Sequence, residues 1–244
     1  MKLVDTHAHI EDFEDIEDVL ARARNKGVVA VVAVGSSSKA NVKILTLAAK
    51  YSGRVYPAVG IHPLESRGQL EGTVKLVEDN ADKCVAIGEI GLDYKYNIER
   101  SCQKEIFERM LAIASRHDKP VLLHSRGAWE DVLCCVQAYE IRKVVFHWYS
   151  GPLETLDKIL DNGYFISATP AVEYSEKHRE AIQRTPVEFL LLETDTPVRY
   201  RGVPSEPSDT FKVLNAVARI KDIDRDRIAE ATTKSACNLF GITC

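Results

Sequence analysis

Eight short runs of β-branched and aliphatic residues recur along the chain, each bounded by polar or turn residues. In the first half they are KLVDTHAHI (2–10), GVVAVVAVG (27–35), VYPAVGIH (55–62) and CVAIGEIG (84–91). In the second half they are PVLLHS (120–125), KVVFHW (143–148), YFISAT (164–169) and EFLLLETD (188–195). Their nearly continuous apolar character is that of strands buried on both faces. Between them the apolar spacing lengthens to a helical period. Ile16, Val19, Leu20 and Ala23 stand at i, i+3, i+4 and i+7, and Ile106, Met110, Ile113 and Ala114 share one side of a second segment. Further helices are predicted over 41–53, 151–163, 207–220 and 224–241, with stops at Gly53, Gly163 and Gly241. Ile228, Ala231 and Leu239 form the apolar side of the last one.

Strands that alternate with helices predict a parallel sheet covered by helices. Eight such repeats in 244 residues fit a (β/α)8 TIM barrel, read as one domain over 1–244. A doubly wound open sheet is the alternative, but no Gly-rich phosphate loop follows the first strand.

Composition changes little in this picture. The chain is 45% hydrophobic and 28% charged, with a net charge of −4. That balance argues against binding nucleic acid by bulk electrostatics. It leaves open an enzyme that meets phosphates through bound cations. No apolar stretch reaches bilayer-spanning length and the N-terminus lacks a signal-peptide core, so no membrane association and a cytoplasmic location are expected. Cys84, Cys102, Cys134, Cys135, Cys237 and Cys244 show no CxxC spacing, which suggests neither a zinc knuckle nor a disulfide framework. Cys134 and Cys135, in a helical-looking segment, read as buried free thiols.

In a barrel of this kind the active site lies at the C-terminal ends of the strands. The first run ends in His7 and His9, the third in His62, the fourth in Glu89, the fifth in His124, the sixth in His147 and the eighth in Glu193 and Asp195. Five of the seven histidines thus gather at one predicted end, all but His117 and His178, which read as solvent-facing. Side chains two apart on a strand share a face, so His7 and His9 can reach one ion. Burying so many ionisable groups without a cation would be costly. Zinc, manganese and magnesium all suit imidazole with carboxylate. Six ligands exceed the three protein ligands of a single catalytic ion and suffice for two if Glu89 bridges them. Such paired ions clamp the attacking and leaving oxygens of a phosphoryl displacement.

The motifs DTHAH, VGIHP, GEIGLDY, PVLLHSRGA, FHWYSG and LLETDTP, in this order, resemble those of the TatD-like metal-dependent deoxyribonucleases of the amidohydrolase superfamily. The resemblance runs from Val4 to the C-terminal helix. It implies a TIM barrel with a one- or two-metal centre that hydrolyses phosphodiesters, with DNA ends as the expected nucleic-acid substrate. It implies His7, His9, Glu89 and Asp195 at the first metal, and the bridging Glu89 with His124 and His147 at the second. His62 matches a position near the phosphate, and Asp195 is placed to take the proton of the attacking water. The chain departs from the pattern where HCFSG is expected, with Trp148 and Tyr149 after His147, and in the loop VRYRGVPSEPSD, which keeps only Arg199 and Arg201 as basic residues.

Arg126 could meet a substrate phosphate or make a surface ion pair. Asp5 could steady an imidazole or bond backbone. Glu193, a layer below Asp195, reads as a structural partner. Asp93 and Tyr94 shape the loop after Glu89, with Asp93 in reach of Arg126. Two rivals remain: a deacylase or amidohydrolase acting, for example, on aminoacylated tRNA, and a non-catalytic barrel that keeps its metals structurally. The fourth strand carries Glu89 where a dihydroorotase- or urease-like site would need lysine.

Overall fold

The computed structural model describes residues 1–243. Its eight parallel strands are β1 (Leu3–Ala8), β2 (Val28–Val34), β3 (Val55–Val59), β4 (Ala86–Gly91), β5 (Val121–His124), β6 (Val144–Phe146), β7 (Phe165–Ala168) and β8 (Leu190–Leu192). They are hydrogen-bonded in sequence order. The helices are α1 (Ile16–Asn25), α2 (Ser38–Lys50), α3 (Glu71–Asn80), α4 (Arg100–Arg116), α5 (Trp129–Ala138), α6 (Leu153–Asp161), α7 (Glu176–Arg184), α8 (Thr210–Lys221) and α9 (Arg225–Phe240). This is the expected TIM barrel. The sequence pattern had not delimited α3, α5 or α7. It also missed a two-residue hairpin after β8, formed by β9 (Arg199–Tyr200) and β10 (Val203–Pro204).

Two apolar layers share each strand. Val4, Val32, Ala58, Ala86, Leu122, Val145 and Leu191 point into the barrel, where Leu239, Phe240 and Ile242 close its lower end. Leu3, Ala8, Val31, Ile87, Ile90, Leu123 and Phe146 point outward against the helices. On β5 and β6 the alternation is regular, so Leu122 and Val145 are followed two residues later by inward His124 and His147. On β1 and β4 it is not. Ile87 and Ile90 are three apart yet both face outward, and β4 shifts register against β5 between them. On β1, Val4 faces in and Ala8 faces out, with a shift between Asp5 and Ala8. Each irregularity reverses the phase of its strand and turns His7, His9 and Glu89 to the interior.

The seam between β1 and β8 closes differently from the others. Asp195 N donates to His7 O at 2.9 Å and His9 N to Thr196 O at 2.8 Å, just beyond the end of β8. The fully buried Asp5 carboxylate accepts from Thr194 N at 3.0 Å and Thr194 Oγ1 at 2.6 Å. Asp5 also accepts from His7 N at 3.4 Å, and among the described residues its hydrogen bonds go to backbone and to the Thr194 hydroxyl, none to an imidazole ring.

Candidate metal centre

The strand ends bring the predicted residues into one cleft of about 520 Å³. His7 Nε2, His9 Nε2, Glu89 Oε2 and Asp195 Oδ1 converge. The two nitrogens are 3.3 Å apart, they lie 3.5 and 3.4 Å from Glu89, and 3.7 and 3.6 Å from Asp195. Ligands placed tetrahedrally at about 2.1 Å from an ion are separated by about 3.4 Å, so the donor set fits a divalent cation. The other oxygen of Glu89 faces the opposite way. Its Oε1 is 2.8 Å from His124 Nδ1, 3.0 Å from His147 Nε2 and 3.6 Å from His62 Nε2.

Hydrogen bonds on the far side of each ring decide which nitrogen has a lone pair to offer. His9 Nδ1 donates to Val34 O at 2.8 Å. His124 Nε2 donates to Asp93 Oδ2 at 2.6 Å, and His147 Nδ1 lies 3.4 Å from Glu193 Oε1. In all three the nitrogen turned to the carboxylates is left unprotonated in the neutral ring. His62 is the reverse. Its Nδ1 accepts from Leu64 N at 3.1 Å, so its neutral ring carries the proton on Nε2, which faces the cleft. Burial drives the His62 pKa down to about 4, against the pull of Glu89. That keeps it neutral.

Burial alone would raise the Glu89 carboxyl, but the surrounding imidazoles, with hydrogen bonds from His124 and His147, outweigh it and hold it well below the usual range. Burial works against the His9 imidazolium, yet Glu89 and Asp195 carry its pKa up to about 9. Carboxylates that draw protons onto neighbouring imidazoles would hold a cation in their place.

Several partners were only partly foreseen. Asp93 is fully buried and bonds His124 as well as Arg126, whose Nε lies 2.8 Å from Oδ2. Burial opposes ionisation of Asp93, but the His124 bond and its backbone bonds bring its pKa down to about 2. Arg126 therefore makes the ion pair, and its half-exposed guanidinium also covers the Tyr96 ring at 4.6 Å. Tyr96 stacks nearly parallel to His124 and was not singled out from the sequence, although it follows Glu89 in the same loop. Glu193 accepts from Trp148 N at 3.0 Å and thus holds both His147 and a Trp148 backbone of left-handed φ, 43°. Trp148 lines the cleft, while Tyr149 is fully buried and donates to Pro152 O at 2.6 Å.

Two expectations are corrected. His178 is not solvent-facing. It is fully buried on the inner side of α7, where its Nδ1 donates to Tyr149 O at 2.7 Å and its Nε2 accepts from Thr169 N at 3.1 Å. His117 is partly exposed and pairs with Asp82 at 2.9 Å. Cys134 and Cys135 are free thiols but not buried: Cys134 is exposed and Cys135 half-covered. Cys84 is free and buried, Cys237 is disulfide-bonded, and Cys244 lies outside the described residues. No helix among the described residues is long and apolar enough to cross a membrane.

Comparison with known proteins places this architecture. A family model described as TatD related DNase matches residues 4–241. The Danio rerio protein tatdn3 is 34% identical over 97% of this chain and 96% of its own length. Deoxyribonuclease TATDN3 of Homo sapiens is 30% identical over 98% of this chain and 94% of its own. Among solved structures, the TatD homologue YjjV of Escherichia coli superimposes with a TM-score of 0.91 at 27% identity, covering 99% of this chain and 98% of that one. A matching fold, an aligned length of nearly the whole chain and the strand-end cluster agree on one conclusion: this chain belongs to the TatD-related DNase family.

Proposed function

We propose that the protein hydrolyses phosphodiester bonds at the ends of DNA, at a centre of two divalent cations. One observation carries this reading: the two oxygens of Glu89 face two separate groups of nitrogen donors. His7, His9 and Asp195 with Glu89 Oε2 form the first ligand set. His124 and His147 with Glu89 Oε1 form the second. Asp93 and Glu193 fix the rings of the second set from behind. Bound there, divalent cations supply charge to the phosphoryl oxygens and acidify water at neutral pH; Mg²⁺, Mn²⁺ and Zn²⁺ all suit the donors.

The chain's own residues supply the remaining chemistry. His62, neutral and protonated at Nε2, is a hydrogen-bond donor aimed into the cleft, suited to a non-bridging phosphate oxygen and unsuited to ligating a metal. Arg126 keeps its terminal NH₂ groups for the same anion while its Nε stays on Asp93. Asp195, whose Oδ1 lies 3.7 and 3.6 Å from His7 and His9 at the first ligand set, is the carboxylate in place to take the proton of the attacking water.

The test is cleavage of single- and double-stranded DNA with Mg²⁺, Mn²⁺ or Zn²⁺ by wild type and Glu89→Ala. Wild type is expected to release nucleotides and Glu89→Ala to lose on the order of a thousandfold in kcat. Metal analysis is expected to find weakened binding of both ions in Glu89→Ala. Loss of one ion alone contradicts the bridge. Hydrolysis of aminoacylated tRNA or an amide, with DNA untouched, would favour the deacylase reading instead.

A further inference from the structure

A second cavity, of about 480 Å³, opens beside the metal cleft between the segment after β7 and helix α8. Its volume is in the range of small-molecule sites. The hairpin β9–β10 separates it from the cleft. Val198, at the root of the hairpin, faces the cleft, whereas Tyr200, Val203 and Pro204 line the cavity. Two aromatic contacts cross this partition. Tyr174 lines both spaces, and Trp148 in the cleft packs on Tyr200 in the cavity at 5.4 Å between ring centres.

We propose that this cavity is a nucleobase subsite: it takes a base of the same strand whose phosphodiester lies at the metal centre. The inference deepens the nuclease reading and rests on it. Three observations favour a base over another occupant. The lining combines apolar surface from Val172, Val203, Pro204 and Val213 with aromatic faces, and a base is a flat apolar body with a polar edge. The free positive charge at the rim is on the hairpin. Lys212 and Arg219 are paired with Asp209 and Glu173, but among the described residues no carboxylate pairs with Arg201. Its guanidinium instead lies over one face of the Tyr174 ring at 5.1 Å, which sets a cation for a phosphate beside the aromatic wall that would meet the base.

The third observation is conformational. Arg201 and Gly202 form the two-residue turn of the hairpin, both left-handed at φ 52° and 85°. Arginine is a costly residue there, where Asn or Asp with Gly is usual. The wall is nonetheless firm. Ser205 N donates to Val198 O at 3.0 Å, and Tyr200 Oη donates to Thr194 O at 2.9 Å. A partition built this rigidly needs little ordering when a base stacks on it.

The experiment compares single-stranded oligonucleotides with bis(p-nitrophenyl) phosphate, a phosphodiester that carries no nucleobase. An abasic residue is moved stepwise away from the cleaved bond. For wild type, one position is expected to lower kcat/KM about tenfold more than its neighbours. Tyr174→Ala is expected to lower the oligonucleotide value about tenfold and to erase that positional effect, while Tyr174→Phe retains both. Arg201→Ala and Val203→Asp, which border the cavity alone, are expected to lower oligonucleotide turnover with the small diester unchanged. Equal losses on both substrates, or an abasic scan without a sensitive position, overturn the subsite while the nuclease reading stands. Wild type that cleaves the small diester but no oligonucleotide overturns both.

Discussion

His178 is neutral because nothing around it would solvate a charge. Burial drives its pKa down to about 4, and both ring nitrogens are already committed, one donating to Tyr149 O and one accepting from Thr169 N. Unfolded, it titrates near 6.5. As pH falls below that value the unfolded chain binds a proton that the folded chain refuses, so stability present at neutral pH is lost between about 6.5 and 4. The shift corresponds to about 3 kcal/mol. Thermal unfolding of wild type and His178→Gln over pH 7 to 4 checks this: the stability difference should shrink as pH falls, because only wild type has this proton linkage. The polar string EYSEKHRE hides this histidine, since composition reports the exposed majority. The helical spacing of His178, Ala181 and Ile182, all buried, was the available signal. The ligand histidines were legible for the opposite reason. They end apolar strands, where a polar side chain has no solvent to turn to.

At the scale of elements, strands β5, β6 and β8 could be read directly, because regular alternation carries Leu122 to His124, Val145 to His147 and Leu191 to Glu193, with Asp195 just beyond at a left-handed φ of 50°. Strands β1 and β4 could not. Alternation from Val4 and Ala86 would face Ala8 and Ile90 inward, and only the register shifts bring His7, His9 and Glu89 round. A shift depends on how neighbouring backbones meet, and the sequence of one strand does not show its neighbour. Gly91 marks one such meeting. Its φ of 140° is open to glycine alone, and a Cβ there would stand 2.0 Å from His124 O. Gly91→Ala is therefore expected to cost about 2–4 kcal/mol in chemical denaturation and to displace His124. An alanine that leaves both stability and turnover intact would contradict this account. The hairpin escaped notice because its left-handed Arg201 is not a residue that announces a turn.

For the whole molecule, the proposed metals would be coupled to the fold. The proposed ligand carboxylates and imidazoles come from five strands and meet at one end of the barrel, so a cation that joins them would also tie the strand ends together. At a hundredfold excess over Kd, each bound ion should add about 3 kcal/mol. For a chain of this size, chelation should lower Tm by about 6–10 °C per ion, and readdition of Mg²⁺, Mn²⁺ or Zn²⁺ should restore it. A Tm indifferent to chelator would argue against a resident metal. The β1–β8 seam is the joint of the barrel with the fewest paired strand residues. Among the described residues it has one isolated bridge, the Asp195–His7 and His9–Thr196 backbone bonds and side-chain bonds from Asp5 and Thr6, where the other strand pairs have ladders. Opening along that joint would part His7 and His9 from Asp195, while Glu89, His124 and His147 lie on or just after the contiguous strands β4, β5 and β6. In the proposed two-ion centre, the ion held across the seam would then be the exchangeable one, and a loosely and a firmly retained metal would sit on opposite sides of a single carboxylate.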